Sequence, residues 1–190
     1  MWYAERRGPT IEQDQFDRTE EVGSKWDHAV SSRTVVGDVF EVSLGEDAVG
    51  FFQYLCRDSS QLNSHVVRVF KRRCSKNGLR DVSQIALGEI GFHAHVFLSV
   101  GVKQHFWRKI SRAEVQGRVD VVFRNSSDYG NSKEPVSNDW FVWRIDEPYV
   151  EVGALPKVYR DAEIGVVVPP NSLVYRMNHG VYDFYYPEPE

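Results

Sequence analysis

His93 and His95 stand either side of Ala94 in an H-x-H triplet. On a strand, side chains two residues apart leave the same face, so both imidazoles would project together at a separation that a zinc ion bridges. A catalytic zinc needs further protein ligands. The sequence supplies none at the usual spacing: H-E-x-x-H, H-x-x-E-H and a cysteine pair are all missing, which leaves Asp120, His105 or His65 to arrive through the fold. The triplet therefore reads first as packing or hydrogen bonding, with metal ligation by His93 and His95 as the alternative. Nucleophilic chemistry has less to stand on. There is no G-x-S-x-G elbow, and Cys56 and Cys74 read as small buried hydrophobes. Gly45 and Gly50 precede a strand, whereas phosphate-binding glycines open a helix. The expectation is a protein that is not an enzyme and carries no cofactor.

Two stretches could bind a partner instead. Between Asp58 and Asp81 there is no acidic side chain, while Arg68, Lys71, Arg72, Arg73, Lys76 and Arg80 are cationic and Phe70 is interleaved. Over residues 65–80 this pattern could track a nucleic-acid backbone, as a β-barrel module would. The competing reading is a strand end with solvated charges that also discourage edge pairing. A net charge of -4 and a pI near 5.9 favour the second, making nucleic acid an unlikely partner. The loop Arg124-Asn-Ser-Ser-Asp-Tyr-Gly130 and the strand Trp140-Phe-Val-Trp-Arg144 concentrate residue types that anchor protein interfaces when exposed. Asp128, Tyr129, Arg124 and Arg144 are the expected partner-binding residues. Asp128 capping its own turn, and Tyr129 folding back on the sheet, are the alternatives.

Stepping from these residues to their supports, 190 residues suffice for one well-buried domain, and 13% aromatic content favours strands. Phe40, Val42 and Leu44 alternate with Val39, Glu41 and Ser43, and the glycines of segment 45–50 turn the chain into a second strand at 51–56. Further strands are expected at 65–73, 119–124, 140–145, 149–155, 163–168 and 181–186. The run 91–102 is compatible with a buried strand or a helix segment, and strand is preferred. Asp81 with Gln84 caps a short helix ended by Gly88, and Asn171 with Gly180 brackets a second. The fold class expected is mainly β with minor α+β character. It is a single compact domain with a twisted antiparallel sheet or partly closed barrel and two short helices. Residues 1–35 read as an N-terminal extension, 36–186 as the domain and 187–190 as an acidic tail. No window approaches a membrane span and the first residues lack an apolar leader core, so a cytoplasmic location without membrane contact is expected.

The ordered set Gly37-Asp-Val-Phe-Glu-Val42, Phe52-Gln-Tyr54, His93-Ala-His95, Trp107, Asp128-Tyr-Gly130 and Trp140-Phe-Val-Trp143 resembles the immunity protein 26 family of bacterial polymorphic toxin systems. The resemblance runs from about Val36 to Tyr186. It implies a cytoplasmic, β-rich, non-enzymatic protein that binds and neutralises a cognate protein toxin made by the same or a neighbouring cell. It carries over no catalytic residue and does not name the toxin.

Overall fold

The computed structural model describes residues 33–190. The expected extension over 1–35 therefore lies, up to residue 32, outside the described residues. Gly37 precedes the first strand at a φ of 93°, where a Cβ would stand 2.5 Å from the Ala113 carbonyl oxygen. It leads into β1 (Asp38–Ser43), which pairs antiparallel with β2 (Ala48–Asp58) so that Phe40 faces Phe52. The turn is shorter than segment 45–50. Gly50 lies inside β2, where a Cβ would meet the Met177 methyl at 2.4 Å, so it serves close packing rather than the bend.

β3 (Ser64–Ser75) pairs antiparallel with β2, and Asp81 then caps α1 (Val82–Ala86) by accepting the Gln84 backbone N–H at 3.2 Å. The run from 91 to 102 corrects the preference for a strand: β4 (Ile90–Val96) stops at Phe97, and α2 (Leu98–Lys103) takes the rest. The helix wins there because Leu98 and Gly101, one turn apart, both face Trp107. The Trp107 indole donates to the Leu98 carbonyl at 3.0 Å, and a Cβ on Gly101 would sit 2.1 Å from its ring. That indole begins β5 (Trp107–Arg112), a strand with no sequence expectation behind it, antiparallel to β1.

The second half contributes β6 (Val122–Ser126), β7 (Val136–Ser137), β8 (Trp140–Arg144) and β9 (Val150–Gly153), then a 3₁₀ turn at Lys157–Tyr159. The expected strand at 163–168 is divided into β10 (Glu163–Ile164), parallel to β6, and β11 (Val167–Val168), parallel to β4. α3 (Pro170–His179) makes three α-helices among the described residues, where two were expected. It starts at Pro169 with no side-chain cap, so Asn171 is not its N-cap, and ends at Gly180 with φ 82° as expected. Residues 181–186 form no ladder, although Tyr182, Phe184 and Tyr186 do turn inward in alternation. The tail is not free either: β12 (Glu188–Pro189) runs parallel to β7.

The fold is thus mainly β, with strands in the orders β11-β4-β3-β2-β1-β5, β10-β6-β8-β9 and β12-β7. Each of the two larger sheets adds one parallel strand to antiparallel ladders and the two-stranded sheet is parallel, so the expected antiparallel sheet is a mixed one, and no barrel closes among the described residues. One face of the six-stranded sheet carries Phe40, Phe52, Val67 and Val96 against Leu98, Leu173 and Met177. On the other face, Phe51 and Phe70 pack on Ile85 of α1, while Leu55 and Val66 pack on Phe123 and Trp143 of the four-stranded sheet.

Gly165 lets the chain cross from β10 to β11, because a Cβ there would lie 2.0 Å from the Trp143 ring. Gly165→Ala should lower stability by about 1–3 kcal/mol through overpacking. Thermal unfolding measures this, and an unchanged midpoint would show that Trp143 moves aside without cost.

Candidate functional site

β4 places His93 and His95 on one face, as alternation requires, but into different surroundings. His95 is fully buried, its Nδ1 2.9 Å from the Ser64 hydroxyl and its ring centroid 4.3 Å from that of Phe123. Its Nε2 lies 3.7 Å from Asp58 Oδ2 and makes no hydrogen bond. Asp58 Oδ2 accepts the Trp143 indole N–H at 3.1 Å, and its Oδ1 accepts the Gln61 backbone N–H at 3.2 Å. Ser, His and Asp together are the components of a nucleophilic triad. Here all three have 0% exposure, so no substrate reaches the hydroxyl. The group instead joins β2, β3, β4 and β8. Burial pushes the His95 imidazole down to about 4 against the opposing pull of the Asp58 carboxylate, so the ring is neutral at neutral pH. Sequence reading missed Asp58 and Ser64, which bracket a turn and look like ordinary turn residues.

His93 donates its backbone N–H to Glu163 Oε1 at 2.6 Å, and its Nδ1 lies 3.5 Å from the same oxygen. Glu163 Oε2 accepts from Arg176 at 3.2 Å, and Arg176 also donates to the Tyr182 hydroxyl at 3.0 Å with its guanidinium 3.9 Å from the Phe92 centroid. Burial raises the Tyr182 phenol to about 12, with Arg176 pulling the other way. The possible third ligands are elsewhere: His65 leans on Tyr54 and Asp120 pairs with Arg144. Among the described residues, no group of three or more His, Cys, Asp or Glu is placed to hold a metal ion.

The basic stretch is largely spent inside the chain. Arg68, 3% exposed, donates Nε and Nη2 to Gln53 Oε1 at 2.9 and 2.6 Å and Nη1 to the Gln116 carbonyl at 2.7 Å. Lys71 pairs with Glu89, Arg73 donates to the Met177 carbonyl, and Arg80 pairs with Glu41. Arg72 and Lys76 are exposed and have no such partner among the described residues. A stretch so committed has few cations left for phosphates.

The structure brings Asp128 and Tyr129 to one end of the four-stranded sheet, with Arg124 at the middle of β6 and its guanidinium turned toward Trp140 at that end. The Ser137 hydroxyl donates to Asp128 Oδ2 at 2.7 Å, and the Asp128 backbone N–H donates to Ser126 Oγ at 3.0 Å, so Asp128 holds its own turn. Tyr129 rests against Phe184 and Tyr186, with centroids 6.1 and 5.7 Å away, yet remains 41% exposed. Arg124 lies 5.2 Å from the Trp140 centroid and 5.8 Å from that of Tyr186, and its Nη1 is buried without a partner. The Tyr186 hydroxyl donates to the Arg124 carbonyl at 2.7 Å, and burial raises that phenol well above its ordinary value. Arg144 is separate. It faces Val122 while Trp140 faces Ser126, which puts it at the opposite end of the β6–β8 ladder. Four residues of strand separate those ends by about 13 Å. The missed contributors are Phe184 and Tyr186, whose alternation read as another strand.

In comparison with known proteins, the chain matches no family model, no curated protein and no solved structure. The arrangement itself therefore carries the functional argument.

The buried imidazole sets a pH response. Unfolded, His95 titrates near its ordinary value of about 6.5; folded, it titrates at about 4. Its contribution is complete above the unfolded value. As pH falls the unfolded chain takes up the proton first, so stability is lost down to about 4, by on the order of 3 kcal/mol. Urea unfolding across that window, together with the His95 ring resonance followed by NMR, checks this. A ring titrating near its ordinary value would sink the account.

Proposed function

We propose that this chain is a cytoplasmic immunity protein that binds a cognate protein toxin and neutralises it without chemistry of its own. The observation that carries the reading is Tyr129, an aromatic ring 41% exposed and held from behind by Phe184 and Tyr186 beside the Arg124 guanidinium. Tyrosine and arginine dominate interface hot spots, because a ring covers a large area with few torsions to freeze and a guanidinium offers directed donors. A ring already seated on two others loses less freedom on binding than a mobile one. The resemblance to the immunity protein 26 family supplies the toxin as the kind of partner.

Within this reading the two loop residues differ in role. Tyr129 contacts the toxin, while Asp128 shapes the turn that presents it. The test is co-expression with the toxin encoded by the adjacent open reading frame, scored by growth, with binding and thermal midpoint measured separately. The wild-type chain restores growth. Tyr129→Ala weakens binding by about 1 kcal/mol or more at an unchanged midpoint. Asp128→Ala lowers the midpoint, because the Ser137 hydroxyl loses its acceptor. A toxin that kills equally well with and without the wild-type chain would remove the proposal.

A further inference from the structure

The sheet edges of this protein are unequal. β5 is an edge six residues long, but it carries Arg108, Lys109 and Arg112, side chains of the kind that keep natural edges from pairing. β10, β11, β7 and β12 are only two residues each. β9 differs from all of these: it closes the four-stranded sheet with four residues, Val150–Gly153, and has no Lys, Arg or Pro among them. Among the described residues no strand lies on its outer side, and in an antiparallel ladder alternate residues turn N–H and C=O away from the partner strand.

The side chains there are exposed as well. Tyr149 is 51% and Val150 59% exposed, and Tyr149 is supported by Phe141 with centroids 5.3 Å apart. Segment 145–154 contains Asp146, Glu147 and Glu151 and no cation, and both glutamates are exposed. We infer that β9 is a docking edge for an extended segment of a partner protein, added as a further strand that alternates apolar residues with lysine or arginine. Apolar side chains of the incoming strand lie beside Val150 on one face, and its cations lie beside Glu151 on the other. A second copy of this chain fits less well, because edge-to-edge pairing gathers Glu147 and Glu151 of both copies along one seam with no cation between them. The inference rests on the reading of the chain as a protein-binding factor and specifies a mode of recognition that the Tyr129 site does not.

The experiment uses the full chain and a short synthetic peptide alternating valine and lysine, with a valine–glutamate peptide as control. The lysine peptide binds and slows amide exchange at Val150–Gly153, whereas the glutamate peptide does neither. Glu151→Lys, a change at an exposed position, weakens the lysine peptide roughly tenfold at an unchanged thermal midpoint. Failure to bind, equal binding of both peptides, protection elsewhere in the chain, or unaltered affinity in Glu151→Lys overturns the inference. So does a concentration-dependent dimer dissolved by that substitution, which would give the edge to a second copy. Growth protection is scored without the peptide, so loss of the toxin reading and loss of the docking edge are separate results.

Discussion

Asp58 sits in the interior with 0% exposure and must be satisfied there, since an unpaired buried carboxylate costs several kcal/mol. The Trp143 indole and the backbone N–H groups of Gln61 and Asp146 meet that need, and the neutral ring of His95 fills the space beside them. The consequence is geometric. The end of β2, the start of β3, the end of β4 and one face of β8 are held at one point, and the four-stranded sheet is held against the six-stranded one. Trp143 in turn leaves room beside it only for a residue without a Cβ, which sets where the chain passes from β10 to β11.

Fixing Trp143 inward also decides what faces outward. With a period of two, Phe141 and Trp143 look toward the first sheet, while Trp140 and Val142 look away from it, alongside Arg124 on β6. The C-terminal segment covers that outer face with rings: Tyr186 lies against Trp140, and Phe184 against Tyr129. On β9, Val152 packs against this cluster while Val150 stays exposed. Interior satisfaction at Asp58 thus leads through strand alternation to the places where Tyr129 and Val150 stay exposed.

Much of this was legible in the sequence where one residue's neighbours decide the outcome. The strand through Phe40 and Val42 appears, but Val39 and Glu41 on its other face are buried as well, where a half-buried strand was expected. Asp81 as a helix cap and Gly180 as a helix stop act over a few residues and appear where expected. His93 and His95 share a face for the same reason. What periodicity does not encode is the partner across space. The run through FLSV suits strand and helix equally until Trp107 demands the helix. WRKISR looks like a charged loop until β1 gives it a ladder. The continuous apolar pattern at 163–168 hides a break that only the Trp143 ring enforces. At the interface, Tyr129 was legible as a turn residue of suitable type. Its support by Phe184 and Tyr186, more than fifty residues later in the chain, was not.

The same long-range pairing redistributes charge. Read linearly, residues 58–81 are a cationic block, but folding returns Arg80 and Arg108 to Glu41, Lys109 to Asp38 and Lys71 to Glu89. Lys109–Asp38 and Lys71–Glu89 are locally neutral, and Glu41 offsets one of the two arginine charges it bridges. Segment 145–154 has no cation of its own to do the same for Glu147 and Glu151, which stay in solvent. A net charge of -4 understates the asymmetry, because an approaching protein responds to the local potential and not to the sum. On the proposed reading, the β9 side attracts basic surfaces during encounter and Tyr129 contributes after contact, when its ring loses water against the partner. A partner that exploits both needs cations where it first approaches and an apolar pocket where it settles.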